Sequence, residues 1–389
     1  MYDKASIALI PSGTKTGKLY SVLPANDDGD FIFERGTTAT RVNRDGLIET
    51  VASDVPRLDY PLTNGVVGDC PYLLLEPSRT NLITYSVDLA SIFTFNIGGG
   101  SLTANYGVSP DGSKTSTRVI TNDTNNSHCF EIISGGSGSL TYSLYYKGVI
   151  GETTTIKAIT VGSGGVDAEK SITFTGKWQR EQITFQRGAS VNYVYIVDYR
   201  SINGTATDFQ VFGGQLEEGS YATSYIPTIG LAETRIGDVC YNSGTSAEFN
   251  DNEGVLFAEI ASLSDSESTV RSISISDSSS NNRVQIGYNS ATKIRGQVRV
   301  GASNQASLFS TQTLSNFYKI ALLYKENDFK LFVNGSEAAT DTSGSVFSAN
   351  TLVELAFDDG SGNRFYGKVK QLIYFNEALS DSELQTLTS

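Results

Sequence analysis

The chain has one histidine, His128, lying beside Cys129 in TNDTNNSHCFEI. Nucleophilic catalysis of the Ser-His-Asp or Cys-His kind needs an imidazole to move the proton. Neighbours on a strand face opposite ways, so His128 and Cys129 are poorly placed to pair. His128 is expected as a surface or half-buried side chain. Glycoside hydrolysis needs two carboxylates facing each other across a sugar, roughly 5–9.5 Å apart. Glu217-Glu218 in GQLEEG, and Glu354 with Asp358 four residues apart in VELAFDDG, are the pairs available. A spacing of four keeps Glu354 and Asp358 on one strand face, but solvated charge at a strand end explains them too. No catalytic residue is assigned, and no enzymatic activity is expected.

Binding has more candidates. Sugar recognition sets aromatic faces against C–H surfaces and planar amide, carboxylate or guanidinium groups against hydroxyls. Trp178, Tyr193, Tyr195 and Tyr199 supply these types in the middle of the chain, and Tyr288, Arg295 and Arg299 further on. Tyr193, Tyr195, Val197 and Tyr199 would share one face of a strand, a stripe that suits a core as well as a binding surface. Asp358, Asp359 and Asn363 surround a Gly-Ser-Gly turn and gather hard oxygen donors in one loop. The expectation there is an ordinary polar turn without a cofactor, with calcium as the alternative.

Acidic residues exceed basic ones by 42 to 29, and no block concentrates positive charge. The electrostatic footprint of nucleic-acid binding is missing, so nucleic acid is not expected as a partner. No segment approaches the ~20 apolar residues of a membrane span, and MYDKASIALIPSG lacks the length and flanks of a secretory signal. Membrane insertion is therefore not expected. Cys70, Cys129 and Cys240 are widely separated, odd in number and without zinc-ligand spacing; they are expected as buried thiols of a protein assembled in a reducing cytoplasm.

The elements that must position these residues are strands. Tyr and Phe supply 20 and 19 residues, and Gly, Ser, Thr and Asn punctuate short alternating runs, which predicts an all-β fold. Residues 1–80 read as a strand-rich attachment or oligomerisation segment, punctuated by Pro56, Pro61, Pro71 and Pro77, with too little continuous core to stand alone. Asp45-Gly46 marks a hairpin within it. Residues 81–228 carry strands at Ser139–Tyr146, Thr154–Thr160, Ser171–Thr175, Gln182–Gln186 and Tyr193–Tyr199, spaced as in a β-sandwich. Residues 229–249 read as a linker. Residues 250–389 form a second sandwich, with a type I′ hairpin at Asn334-Gly335. A short terminal helix follows, with a Ser380/Glu383 capping box and a Leu379–Leu384 staple.

Three resemblances accompany these readings. ATRVNRDGLIETVASDVPRLDY and CPYLLLEPSRTNL, with GGQLEEGSYATSYIPT, resemble head-fibre and tail-fibre proteins of tailed bacteriophages. FTGKWQREQITFQ followed by DFQVFGGQLEEGSYATSY is similar to the closing half of a carbohydrate-binding jelly roll. NFYKIALLYKENDFKLFVNGSE and RFYGKVKQLIYFNEALSDSELQTL resemble the laminin-G-like or concanavalin-like lectin sandwich. The resemblances imply a structural protein on the virion surface, anchored by its N-terminus to capsid or tail proteins. Its lectin-like sandwiches would meet host or mucus glycans. A homo-oligomer is expected, trimer before dimer, since weak sugar sites gain from multivalency. A glycan-degrading tail spike and a ligand-free decoration protein are the alternatives.

Overall fold

Alternation builds the C-terminal sandwich as the sequence predicts. Ile320, Leu322 and Tyr324 on strand Tyr318–Lys325, and Phe329, Leu331 and Val333 on Asp328–Val333, point into one buried core. Asn334 and Gly335 turn between strands with φ of 46° and 80°, the two positive angles a type I′ hairpin needs. The structure is a computed structural model that describes residues 2–63, 65–96, 99–264, 270–313 and 316–389. Its larger sheet has eight strands. Seven run in the order Ser336–Asp341, Asp328–Val333, Tyr318–Lys325, Glu253–Ser262, Gly367–Phe375, Tyr72–Leu75 and Arg57–Asp59. The eighth, Ile7–Leu9, pairs with Gly367–Phe375 alongside Tyr72–Leu75. Facing it across the core is a five-stranded sheet, in the order Ser303–Thr311, Lys293–Val300, Arg283–Ser290, Arg271–Ser276 and Glu354–Ala356.

The terminal helix Asp381–Thr388 closes the outer face of the eight-stranded sheet. Its capping box forms, with the Ser380 N–H donating to Glu383 Oε2 at 2.9 Å. Leu379 and Leu384 are buried with Val255, Phe257, Ile373 and Phe375.

The N-terminal segment does not stand apart from this sandwich. Ile7 and Leu9 enter the core between the sheets, and Leu19, Phe31, Phe33, Leu73 and Leu75 join them. The supposed linker is also structured. Val239–Tyr241 pairs with Phe31–Glu34, Glu233–Arg235 pairs with Arg79–Asn81, and Cys240 and Phe249 lie in the same core. The physical reason is the open edge of Gly367–Phe375. Short strands that cannot bury themselves find ladder partners and apolar cover there. Of the cysteines, Cys129 and Cys240 are buried, but Cys70 is exposed.

Residues 81–228 form the other sandwich. One sheet runs Thr94–Phe95, His128–Ser134, Val191–Asp198, Thr153–Val161 and Ala168–Thr173; the second runs Gly100–Thr103, Thr117–Thr121, Asp208–Glu218, Ser139–Lys147 and Gln179–Gln186. Leu140, Tyr142, Leu144, Val194, Ile196 and Val211 are among the residues filling the space between them.

The motifs that carry the phage resemblance meet where the two sandwiches join. Arg57, from PRLDY, donates to Glu76 at 2.6 Å and also binds Asp238. Arg35 reaches the other oxygen of Asp238 at 3.1 Å, and Arg235 holds Glu76 at 2.5 Å. Ser224, from SYATSYIPT, gives Glu76 both its N–H and its hydroxyl, at 2.8 and 2.7 Å. Asn81 has every bond its amide can make to this region, accepting from Ile83 and Leu216 and donating to the Gly214 and Ile226 carbonyls. All five ionic side chains are buried. Burial alone would raise Glu76, but Arg235 and Arg57 hold it well below the usual carboxylate range. A buried ion network of this kind orients two bodies more than it stabilises them.

Candidate functional site

One register fault makes the clearest surface site. Strands His128–Ser134 and Val191–Asp198 pair as His128↔Asp198 and Cys129↔Val197, then shift so that Phe130 faces Tyr195 and Ile132 faces Tyr193. This bulge at Ile196 switches the phase of alternation. Val197 and Tyr199 therefore point into the core with Val194 and Ile196, whereas Tyr193 and Tyr195 take the other face, Tyr193 half-buried and Tyr195 buried at 4% exposure beneath Arg200. The four-residue stripe expected from strict alternation is split in two.

The outward half gathers aromatic rings. Phe130 lies 5.5 Å from Tyr193, edge to face, and 5.7 Å from Tyr195; Tyr193 and Tyr195 are 6.4 Å apart. Ile132, 54% exposed, and half-buried Ile159 extend the apolar ground on either side of Tyr193. His128 closes one end, its ring 6.2 Å from Phe130 and 6.4 Å from Tyr195, with Nδ1 3.0 Å from the Asn126 carbonyl. The expected opposition of His128 and Cys129 holds, since Cys129 faces the core. His128 itself is buried beneath these rings, not half-exposed.

Charged groups rim the platform. Arg200 lies 5.3 Å over the Tyr195 ring and grips Asp198 with two bonds of 2.8 and 2.7 Å. Lys157, opposite Tyr195 on the next strand, puts its ammonium 3.4 Å from Glu169 and 3.5 Å from Asp198. Burial works to raise Asp198, but the Arg200 bonds and the Lys157 charge hold it below its ordinary value. Glu169 and Asp198 thus share one lysine between them. Asp198, held below its ordinary value, is the opposite of the raised-pKa acid that glycoside hydrolysis requires. The arrangement offers ring faces for C–H surfaces and a charged rim for hydroxyl groups.

The other predicted residues are elsewhere. Tyr199 donates to the Ala206 carbonyl at 2.8 Å and to Thr154 at 3.2 Å, and burial pushes it up to about 12. It is a core residue. Trp178 packs near Ile48, Phe212 and Tyr225 at the joint and donates to the Val108 carbonyl at 3.0 Å, away from the tyrosine platform. Tyr288 is also core, its hydroxyl on the Ile260 carbonyl at 3.0 Å, because even-numbered residues of Arg283–Ser290 face inward. Arg295 and Arg299 lie on the opposite, solvent side of that five-stranded sheet.

The Asp358–Asn363 loop spends its oxygens internally. Asp358 accepts the Gly360 N–H at 2.8 Å. Asp359 accepts from Ser361 and Asn363 and lies 3.7 Å from Arg283. Among the described residues, no three His, Cys, Asp or Glu side chains gather as a metal site. Glu354 starts a strand paired with Ser276 and shares no hydrogen bond with Asp358.

Phe130, Lys157, Glu169, Asp198 and Arg200 were not legible as site residues. The signal for Phe130 was present as Phe130 and Ile132 alternating with Cys129 and Ile133. The polar run before His128 disguised it as the end of a loop.

Comparison with known proteins adds one assignment to this geometry. Residues 257–385 match the family model of the concanavalin A-like lectin/glucanases superfamily. The C-terminal sandwich is lectin-like. The match covers that sandwich and leaves the middle one untouched. No curated protein matches the chain. Among solved structures, the CBM40 of the Ruminococcus gnavus IT-sialidase bound to alpha2,3 sialyllactose aligns at 18% identity and TM-score 0.32. That alignment covers 36% of this chain and 84% of the other. Domain 4 of AbnA, a GH43 extracellular arabinanase from Geobacillus stearothermophilus, in complex with arabinotriose, aligns at 13% identity and TM-score 0.32, covering 44% and 84%. Mouse laminin alpha1 LG4-5 aligns at 11% and 0.26, covering 66% and 89%. Scores this low decide nothing about the ligand. Among the described residues, no helix is long and apolar enough to cross a membrane.

Proposed function

We propose that this chain is a non-catalytic, glycan-binding protein of a tailed-bacteriophage particle, of the head-fibre or tail-fibre kind. The observation that carries the binding half is the outward pair of half-buried rings Phe130 and Tyr193, backed by the buried Tyr195 ring and rimmed by Arg200 and Lys157. Such a surface meets a saccharide through stacking and charged hydrogen bonds without offering a free acid or nucleophile. The lectin-like C-terminal sandwich supports the same reading. The virion half rests on the resemblance of the joint motifs to phage fibre proteins. Capsid or tail proteins are its partners, the particle surface its place, and a trimer its assembly. The N-terminal segment remains the part turned toward the particle, through its hairpin of Leu62–Thr63 and Val66–Val67, whose Leu62 and Val66 are exposed.

A glycan array probed with the full chain, Tyr193→Ala and Tyr195→Ala tests the binding half. The expected result is a defined set of glycans that both variants lose. Binding unchanged in both variants, or release of reducing ends from a bound polysaccharide, would overturn it. Mass spectrometry of purified particles tests the virion half, which fails if the chain is absent from them.

A further inference from the structure

The solvent side of the five-stranded C-terminal sheet carries a second, chemically different surface. Arg283 stands directly opposite Arg299, and in the next row but one Arg295 stands between Gly287 and Phe309. Three guanidinium groups on adjacent strands of one face belong to a protein whose net charge is −13. Among the described residues one carboxylate answers them: Asp359, 3.7 Å from Arg283. Arg283 also donates to the Ser280 and Asp359 carbonyls and to Gln297 Oε1. Arg299 spends its Nε on the Ala302 carbonyl at 2.9 Å. Arg295 makes no hydrogen bond or ion pair with any described residue. Like charges crowded on a partly desolvated face are unfavourable unless an anion joins them.

The ground beneath these side chains is built and incomplete. Gln285, between the Arg283 and Arg295 rows, is 1% exposed, and its amide oxygen has no partner. Arg283 is 6% exposed, and its Nε is likewise without one. Buried polar groups are nearly always satisfied, and the Gln285 oxygen, an acceptor beside the unpaired Arg295, would take a hydrogen bond from a ligand hydroxyl. Burial, with the charge of Arg283 beside it, pulls Arg295 below the ordinary guanidinium range, a cost that a bound anion would reverse. Phe309, 41% exposed and cross-strand from Arg295, adds an apolar surface the size of a sugar ring.

We infer that this face binds a carboxylate-bearing sugar, its carboxylate on Arg295, a hydroxyl on the Gln285 oxygen and its ring against Phe309. A guanidinium matches a carboxylate with two parallel bonds, which a neutral hydroxyl does not offer. The inference shares with the proposed function only that the ligand is a sugar; it uses another sheet and other residues.

Calorimetric titration of the full chain with methyl β-glucuronide, methyl β-glucoside, N-acetylneuraminic acid and sodium sulfate tests it. At least one acidic sugar is expected to bind roughly tenfold or more tightly than the glucoside, and more weakly as salt rises. Arg295→Ala should abolish that preference and Arg295→Lys should keep part of it. Arg295 is half-buried and makes no hydrogen bond or ion pair with any described residue, and an unchanged melting temperature in both variants would confirm that folding is intact. Tyr193→Ala should leave the preference intact. Failure of both acidic sugars to bind more tightly than the glucoside, saturation by sulfate alone, or an unchanged Arg295→Ala would each overturn the inference. Loss in Tyr193→Ala but not in Arg295→Ala would overturn it while leaving the proposed function standing.

Discussion

The two sandwiches share a plan and turn different chemistry outward. In the middle one a bulge delivers aromatic rings to the surface and keeps its charges paired along the rim. In the C-terminal one the outward rows are polar and cationic, and the aromatic Tyr288 is held inside. The difference shows that inward residues specify a sandwich, while the outward half of each strand is free to vary with the ligand. Between the two lies a joint whose buried charges face one another in ion pairs and set how the two sandwiches meet.

The strongest way to break the comparison is to free one sandwich from the other. Glu76→Gln leaves Arg57 and Arg235 short of their shared carboxylate. It should cost about 3–5 kcal/mol and split one unfolding transition into two by calorimetry. A single transition at an unchanged temperature would show that the joint holds nothing. The pH dependence has a definite sign. The folded pKa of Glu76 lies below its unfolded value of 4.5, so its contribution is complete above 4.5 and is lost as pH falls through the folded value. The stability gap between wild type and Glu76→Gln should therefore shrink only below about pH 4.5.

Tyr195→Ala sharpens the contrast between the outward faces. It removes the ring that touches Phe130, Tyr193 and Arg200, and should weaken glycan binding by roughly tenfold or more, about 1.4 kcal/mol, by titration. Tyr199→Phe, four residues away but pointing inward, should leave binding unchanged. It should lower stability by about 0.5–1.5 kcal/mol in urea unfolding, through its bond to the Ala206 carbonyl. The smallest effect is expected from chelation. With Asp359 engaged by Ser361, Asn363 and Arg283, EDTA should leave the melting temperature where it was, and added calcium should not raise it.

What was legible was local. The Asn334-Gly335 hairpin, the Ser380 capping box and the alternation of Phe329, Leu331 and Val333 each depend on residues a few positions apart, and each formed as expected. The aromatic platform needed Phe130 and Tyr195, far apart in sequence, and a bulge that no residue type announces. The stripe expected on one face is therefore divided, with Tyr193 and Tyr195 on the side away from the core and Tyr199 within it. Tyr288 looked like a binding residue because composition does not say which of two sheet faces an odd or even position takes. The N-terminal strands read as unable to stand alone, but the surface they join could not be named because their partner, Gly367–Phe375, is almost the whole chain away.

That last pairing bears on how the molecule is made. Ile7–Leu9 and Gly367–Phe375 complete one ladder, so a ribosome must deliver nearly all 389 residues before the C-terminal sheet can close. The middle sandwich, whose strands all lie between Thr94 and Glu218, can fold well before that moment. A prematurely terminated product would carry a finished centre flanked by sticky, unclosed edges. Only a chain extended through Phe375 conceals them.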